Sequence, residues 1–261
     1  MIDTHCHILP GLDDGPETLE TSLAMARMAA RDGVRIVIAT PHTNLDDGYP
    51  SPEVVRERVA ALNEAIRAEG IDLSVVPGAE ITVTDRLTEH LEAGRVMTMG
   101  DRGKHLLIEL PFNSFPNFIP DLFFSIQLMG FVPIIAHPER SGAARIRLDT
   151  IRELAQRGAL LQVNMENVTR GGLLEMLSGS APDSPRSLVR KLLQEDLVDF
   201  IGSDGHDPQR RRPVLTPARA GLKRFGGDGA FQRLTQSGPA RLLRHPKQPG
   251  RVAPTADSPP A

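Results

Sequence analysis

Two histidines one residue apart, His5 and His7, lie in the opening run IDTHCH. On a strand, residues i and i+2 face the same side, so both imidazoles can reach one metal ion. More imidazoles and carboxylates follow at short junctions between apolar and polar sequence. Asp13 and Asp14 stand in a loop, His42 in ATPHT, Glu80 in PGAEI and Glu109 in LIELP. His137 stands in IAHPER, and Asp204 and His206 in GSDGHD. Taken singly, most have an ordinary explanation such as capping a turn. Glu109 inside an apolar run does not, because a buried carboxylate needs a partner or a metal. His90, His105 and His245 fall outside the pattern and read as surface or structural residues.

The elements that must position these residues alternate between strand and helix patterns. Apolar, β-branched runs at 2–7, 34–39, 73–76, 106–110, 132–136, 159–163 and 198–201 suit a parallel sheet buried on both faces. Helical patterns cover 17–31, 52–69, 119–129, 146–157 and 184–194, several of them stopped by glycine. This repeat predicts a TIM-like barrel or a doubly wound sheet. Six of the seven strands run into a histidine or carboxylate at their C-terminal end, and the sixth ends at Asn164. In a βα barrel those ends open on one face, so the residues converge in space. Five histidines and four carboxylates exceed the needs of one ion, and two or three ions can share bridging carboxylates. Nitrogen and oxygen ligation without thiolate suits Mn, Fe or Zn better than Mg or Ca.

Composition removes several other classes. Across 261 residues the net charge is −3 and 40% of residues are hydrophobic, which describes an ordinary globular chain with no bulk attraction to nucleic acid or membranes. Aromatic residues are 4% with no Trp, which leaves little surface for stacking bases. The single cysteine excludes an internal disulfide framework and multi-cysteine zinc sites. Cys6 is followed six positions later by Leu12, not the Arg that a cysteine phosphatase requires. It should face away from His5 and His7, into the core. GxxxxGK[ST] and GxSxG are absent. No basic and then apolar leader opens the chain and no apolar run is long enough to span a bilayer, so a cytoplasmic protein without stable membrane insertion is expected.

The order HxH, DDG, PH, GAE, IELP, AHPER, GSDxH resembles the PHP (polymerase and histidinol phosphatase) superfamily. Within it the chain is most similar to the bacterial manganese-dependent protein-tyrosine phosphatases of capsule and exopolysaccharide clusters, the CpsB/YwqE type. The segments IDTHCHILPGLDDGP, IVIATPH, LLIELPF, PIIAHPER, LQVN and IGSDGH carry the likeness. The resemblance implies a distorted (β/α)7 barrel over residues 1–245; residues 246–261, rich in Pro and Ala and without periodicity, read as a disordered tail. It implies two or three divalent ions, Mn with Fe or Zn as alternatives, on His5, His7, Asp14, His42, Glu80, Glu109, His137, Asp204 and His206. It also implies phosphate contacts from Arg140 and from an arginine past SDxH, where SDGHDPQRRRP leaves both Arg211 and Arg212 open.

The chemistry so implied is phosphomonoester hydrolysis by metal-bound hydroxide, with His42 or Asp204 as candidate proton donor. The substrate implied is a phosphotyrosyl protein, a bacterial tyrosine kinase of polysaccharide assembly. Only one tyrosine, Tyr49, is present, which argues against an autosubstrate. Two other readings stand beside this one: a small-metabolite phosphatase such as a histidinol phosphatase, and a non-catalytic module keeping the fold for binding. The oligomeric state is not legible.

Overall fold

The computed structural model of the chain describes residues 1–48, 50–169 and 184–244. The predicted Pro/Ala-rich tail, His245 and Tyr49 lie outside those residues. The strands are β1 (Ile2–Cys6), β2 (Ile36–Ala39), β3 (His42–Thr43), β4 (Ser74–Pro77), β5 (Glu80–Thr82), β6 (His105–Glu109), β7 (Val132–Ala136), β8 (Leu160–Asn164) and β9 (Phe200–Gly202). The helices relevant here are α1 (Leu19–Asp32), α2 (Pro52–Ala68), α3 (Leu87–Glu92), α4 (Ile119–Leu128), α5 (Gly142–Ile146), α6 (Leu148–Gln156), α7 (Pro185–Gln194) and α8 (Arg219–Gly226). Their starts follow capping rules: Thr18, Ser51, Ser141 and Ser184 each accept a backbone N–H from the first turn of α1, α2, α5 and α7. None of the helices among the described residues is long and apolar enough to cross a membrane.

Every strand pair is parallel, in the ladders β1-β2-β4 and β3-β5-β6-β7-β8-β9. The two ladders meet at β1 and β9, where Asp204 N donates to His5 O and His7 N to Gly205 O, both at 2.8 Å. The result is a distorted seven-stranded parallel barrel. Two of the seven barrel strands are interrupted, at Thr40–Pro41 and at Gly78–Ala79, and resume as β3 and β5 beyond the predicted runs 34–39 and 73–76. The predicted helix over 146–157 is α6, which starts two residues later because Arg147 (φ −101°, ψ 41°) leaves helical geometry and Ile146 ends the separate helix α5.

Side chains of alternate residues fill the two faces of the wall. Val37, Leu106, Ile108, Ile135, Leu161, Val163 and Ile201 join the cluster that packs with the helices. Ile38, Leu107, Ile134, Ala136 and Phe200 form an inner cluster closed by Met99 and Leu242. Following the inward parity toward the strand ends, Leu107 leads to Glu109, Leu160 to Gln162 and Asn164, and Phe200 to Gly202. The interior therefore changes from apolar to polar along the barrel axis.

In β1 the parity needs correction, and a β-bulge supplies it. Asp3 pairs with Val37 and Cys6 with Ala39, three residues against two. One extra residue flips the later side chains to the opposite face. Cys6 thereby joins the outer core, fully buried, and His5 and His7 turn inward.

Candidate metal centre

The inward-facing polar ends meet around Glu80, which is fully buried. Its Oε2 lies 3.1 Å from His5 Nε2, 3.2 Å from His7 Nε2 and 3.2 Å from His42 Nδ1. Its Oε1 lies 2.6 Å from His137 Nε2. Glu109 stands behind, 3.8 Å from His137 and 4.0 Å from His42. On the other side Asp204 Oδ1 is 3.6 Å from His5 Nε2 and 3.5 Å from His7 Nε2. Asp14 Oδ1 lies 3.1 Å from His206 Nε2 and 3.6 Å from His42 Nε2. The structure thus brings all nine predicted donors together. Seven of them form three overlapping groups whose donor atoms lie mutually within 4.8 Å: His7, Asp14, His42 and His206; His5, His7 and Glu80; His42, Glu80 and Glu109. His137 joins through Glu80, and Asp204 through His5 and His7.

Several imidazoles are held from behind so that the other nitrogen faces the cluster. His5 Nδ1 meets Gln162 Oε1 at 3.1 Å, His7 Nδ1 meets Asp13 Oδ2 at 2.6 Å, and His206 Nδ1 meets Asp204 O at 2.9 Å. This is the support a metal-bound histidine needs to fix its tautomer. The facing nitrogens of His5 and His7 are only 3.1 Å apart. Glu109 Oε1, Asp204 Oδ1 and His206 Nε2 are buried and make no hydrogen bond. Unsatisfied donor atoms aimed at one another fit divalent cations, which nitrogen and carboxylate oxygen both bind.

Backbone geometry supports the same point. His137 (φ 25°) and Asp204 (φ 53°) have positive φ, uncommon without glycine, at two successive ligand-bearing turns. Gly202 lies where a Cβ would fall 2.5 Å from His5 Cβ and 2.6 Å from Gln162 Nε2, so only glycine lets those side chains cross the barrel.

Charge is unevenly distributed among the donors. Burial would raise Glu80, but His5 and His137 hold it well below the carboxylate range. Glu109 is pushed up by burial and by the charge of Glu80. Burial opposes the charged form of His7, yet Asp13 and Glu80 raise it to about 10. His206 is lowered to about 4 by burial, His7 and Arg211, and is neutral near pH 7.

Two arginines reach the rim. Arg140 Nη1 is 2.8 Å and Arg211 Nη2 2.5 Å from Asp204 Oδ2, which also accepts from Asn164 Nδ2 at 2.5 Å. The two arginines left open by the sequence are separated here: Arg211 faces the cluster, while Arg212 is exposed with its Nε on Met28 Sδ. Although burial would raise Asp204, His5, His137, His7 and Arg211 hold it below its usual value. It is ionised and has no proton to donate.

Gln162 and Glu139 are supporting neighbours that motif reading did not single out, while Asp13 and Asn164 stood out as polar residues in the sequence without a role assigned to either. Glu139 Oε1 accepts from Asn164 N at 2.7 Å and anchors the end of β8. Polar residues two apart in the otherwise apolar run LLQVN were the available signal for Gln162 and Asn164. Nothing in DDG distinguishes Asp13 from Asp14. His90 and His105 are buried outside the cluster, His90 beside Asp46 at 3.3 Å.

The family model for capsular polysaccharide synthesis, CpsB/CapC, matches residues 1–244. The chain is 35% identical over 255 residues to tyrosine-protein phosphatase YwqE of Bacillus subtilis, covering 95% of this chain and 96% of that one. It is 27% identical over 246 residues to tyrosine-protein phosphatase CpsB of Streptococcus agalactiae, covering 94% and 99%. Among solved structures, those of YwqE from Bacillus subtilis and CpsB from Streptococcus pneumoniae, described as metal-dependent tyrosine phosphatases, give a TM-score of 0.82 at 34% identity, covering 94% of this chain and 95% of that one. A resiniferatoxin-binding protein from Rhodobacter sphaeroides shares the fold alone, with a TM-score of 0.53 at 16% identity over 87% of this chain and 75% of that one.

Proposed function

Because the chain belongs to the CpsB/CapC family of capsular polysaccharide synthesis, we propose that it is a metal-dependent protein-tyrosine phosphatase. The observation that carries this reading is the juxtaposition of a cluster of imidazoles and carboxylates, joined by His137 and Asp204, with two arginines at its rim. We assign His5, His7, Asp14, His42, Glu80, Glu109, His137, Asp204 and His206 as ligands of two or three divalent ions. Manganese is the ion we favour, on the imidazole and carboxylate donor set without thiolate. Such ions supply Lewis acidity and a water of lowered pKa when bound.

The chain's own residues do the rest. Arg140 and Arg211 share one carboxylate oxygen of Asp204 and hold further N–H groups for the non-bridging oxygens of a phosphate. They fix its orientation and offset charge that builds up at phosphorus. Asp204, engaged by both arginines and Asn164, keeps them at fixed separation. Proton delivery to the leaving phenolate falls to His42, whose ring is 35% exposed. Its two nitrogens face different carboxylates, so holding a cation and passing a proton compete for it.

The substrate we propose is a phosphotyrosyl protein, a tyrosine kinase of capsule assembly, met in the cytoplasm where ATP-dependent phosphorylation occurs. Residues 1–245 are proposed as one catalytic unit. The test is Mn-dependent phosphate release from a phosphotyrosyl peptide, histidinol phosphate and a phosphodiester, each with an EDTA control. Release chiefly from the peptide is expected. No metal-dependent release from any of them would overturn the reading, and preference for histidinol phosphate would reassign the substrate.

A further inference from the structure

Phe112 is 44% exposed, unlike its neighbour Phe115, which is 8% exposed. The other strongly exposed large apolar residues among the described residues, Leu19, Phe124, Leu128 and Ile146, sit on helices. Phe112 instead follows Glu109 by three residues at the C-terminal rim of β6. The Arg140 guanidinium lies 5.1 Å from its ring centroid, and the same guanidinium bonds Asp204.

The ring's mount is fixed as well. Ser141 Oγ donates to Pro111 O at 2.8 Å, and Gly142 N donates to Phe112 O at 2.8 Å. Two hydrogen bonds therefore lock the backbone that carries Phe112 to the turn that carries Arg140. An apolar ring kept partly in water, at a fixed distance from a phosphate-binding arginine, lacks a core role. It has the place and chemistry of a contact surface for a ligand that is anionic at one end and aromatic at the other.

We propose that Phe112 is the aryl subsite: the ring of the phosphorylated tyrosine packs against it while the phosphate engages Arg140 and Arg211. The inference rests on the phosphatase reading and deepens it by assigning the preference for aryl over alkyl phosphates to one side chain. An alkyl phosphate ester has no ring to place there and gains nothing from Phe112. The cation–π contact with Arg140 adds a second effect, holding the guanidinium beside the ring.

The probes are phenylphosphonate and methylphosphonate, used as competitive inhibitors of phosphotyrosyl-peptide hydrolysis by the Mn-loaded full chain. The readout is the ratio of their inhibition constants, which cancels loss of phosphate affinity common to both. Wild type should favour the phenyl compound. Phe112→Ala should lower that preference about two- to twelvefold, the range for one aromatic pair, and Phe112→Tyr should retain it. An unchanged ratio in Phe112→Ala overturns the proposal, as does equal weakening of both inhibitors, which would mean that Phe112 acts only through Arg140. If the Mn-loaded wild type does not hydrolyse the peptide, the phosphatase reading falls; if it does but neither phosphonate competes, the subsite alone is overturned.

Discussion

Replacing Asp13 by Asn should weaken metal binding although Asp13 is not among the proposed ligands. Asp13 Oδ2 accepts from His42 N at 3.0 Å and lies 2.6 Å from His7 Nδ1, while Oδ1 accepts from Gly15 N at 3.0 Å. An amide offers one acceptor oxygen and one donor nitrogen, so it cannot serve all three. With its oxygen toward Gly15, the NH2 group opposes His42 N–H and forces the proton of His7 onto Nε2, the nitrogen facing Glu80. With its oxygen toward His7, Gly15 N–H is left unpaired. Loss of such a support typically weakens metal binding ten- to a hundredfold, about 1.4–2.7 kcal/mol. The proton count should change too. Burial and the His7 partner act on Asp13 in opposite directions, and the net result is about 2, while His7 stands at about 10. Near pH 7.5 His7 must therefore release a proton to bind a cation. Asp13→Asn should release less. Mn titration by calorimetry in two buffers of different ionisation enthalpy reads both quantities, with circular dichroism as a control for folding. Wild-type affinity and proton release in Asp13→Asn would refute the reasoning.

Gly202→Ala should cost about 1–3 kcal/mol of stability through overpacking and lose Mn binding, because the new methyl displaces His5 and Gln162; thermal melts with and without Mn check both. Arg211→Ala should lower kcat/KM at least tenfold on phosphopeptide and small aryl phosphate alike, by removal of one charged donor. Arg212→Glu should affect only the peptide, and equal effects of the two changes would sink the distinction. Asp3 is fully buried and raised to about 6 by burial, against which Ser203 and His5 act only partly. An acid with a raised folded pKa destabilises the fold as pH rises from its unfolded value near 3.8 through 6, by about 3 kcal/mol at full ionisation. Asp3→Asn should thus stabilise the metal-free protein at pH 8 far more than at pH 4, as denaturant melts would show.

The strand ends carrying His137, Glu109 and Asp204 were legible because continuous apolar runs in a parallel barrel must stop at polar residues on one rim. The nine donors follow from that rule and from family likeness, since side-chain type and strand position survive in sequence. The supports were less legible. Whether Asp13 or Asp14 stands behind His7 depends on loop conformation, and both are the same residue type. The choice between Arg211 and Arg212 depends on a turn in which Asp207 accepts from the N–H groups of Gln209, Arg210 and Arg211. No periodicity encodes such a turn. The bulge in β1 was equally hidden: HxH tells that two imidazoles share a side, but only the register with β2 tells which side.

The splits in the second and third strands show why the barrel is distorted in the way it is. Ile38 pairs with Val76 and His42 with Glu80, each pair 38 residues apart, so the register runs unchanged through the break. Pro41 has no N–H for the missing rung, but its carbonyl still accepts from Glu80 N at 3.1 Å. A Cβ on Gly78 would fall 2.7 Å from Ile38 Cγ2, so glycine lets the two chains approach there. Beyond the break β5 turns to pair with β6, whereas β4 pairs only with β2 among the described residues. The gap below is filled by the turn Met99–Asp101, which packs against both β4 and β6. The seam is therefore hydrogen-bonded at the C-terminal end and plugged by side chains at the other. The hydrogen bonds of the seam thus lie at the level of His42 and Glu80, and that is where a site built on Glu80 needs its walls to be rigid.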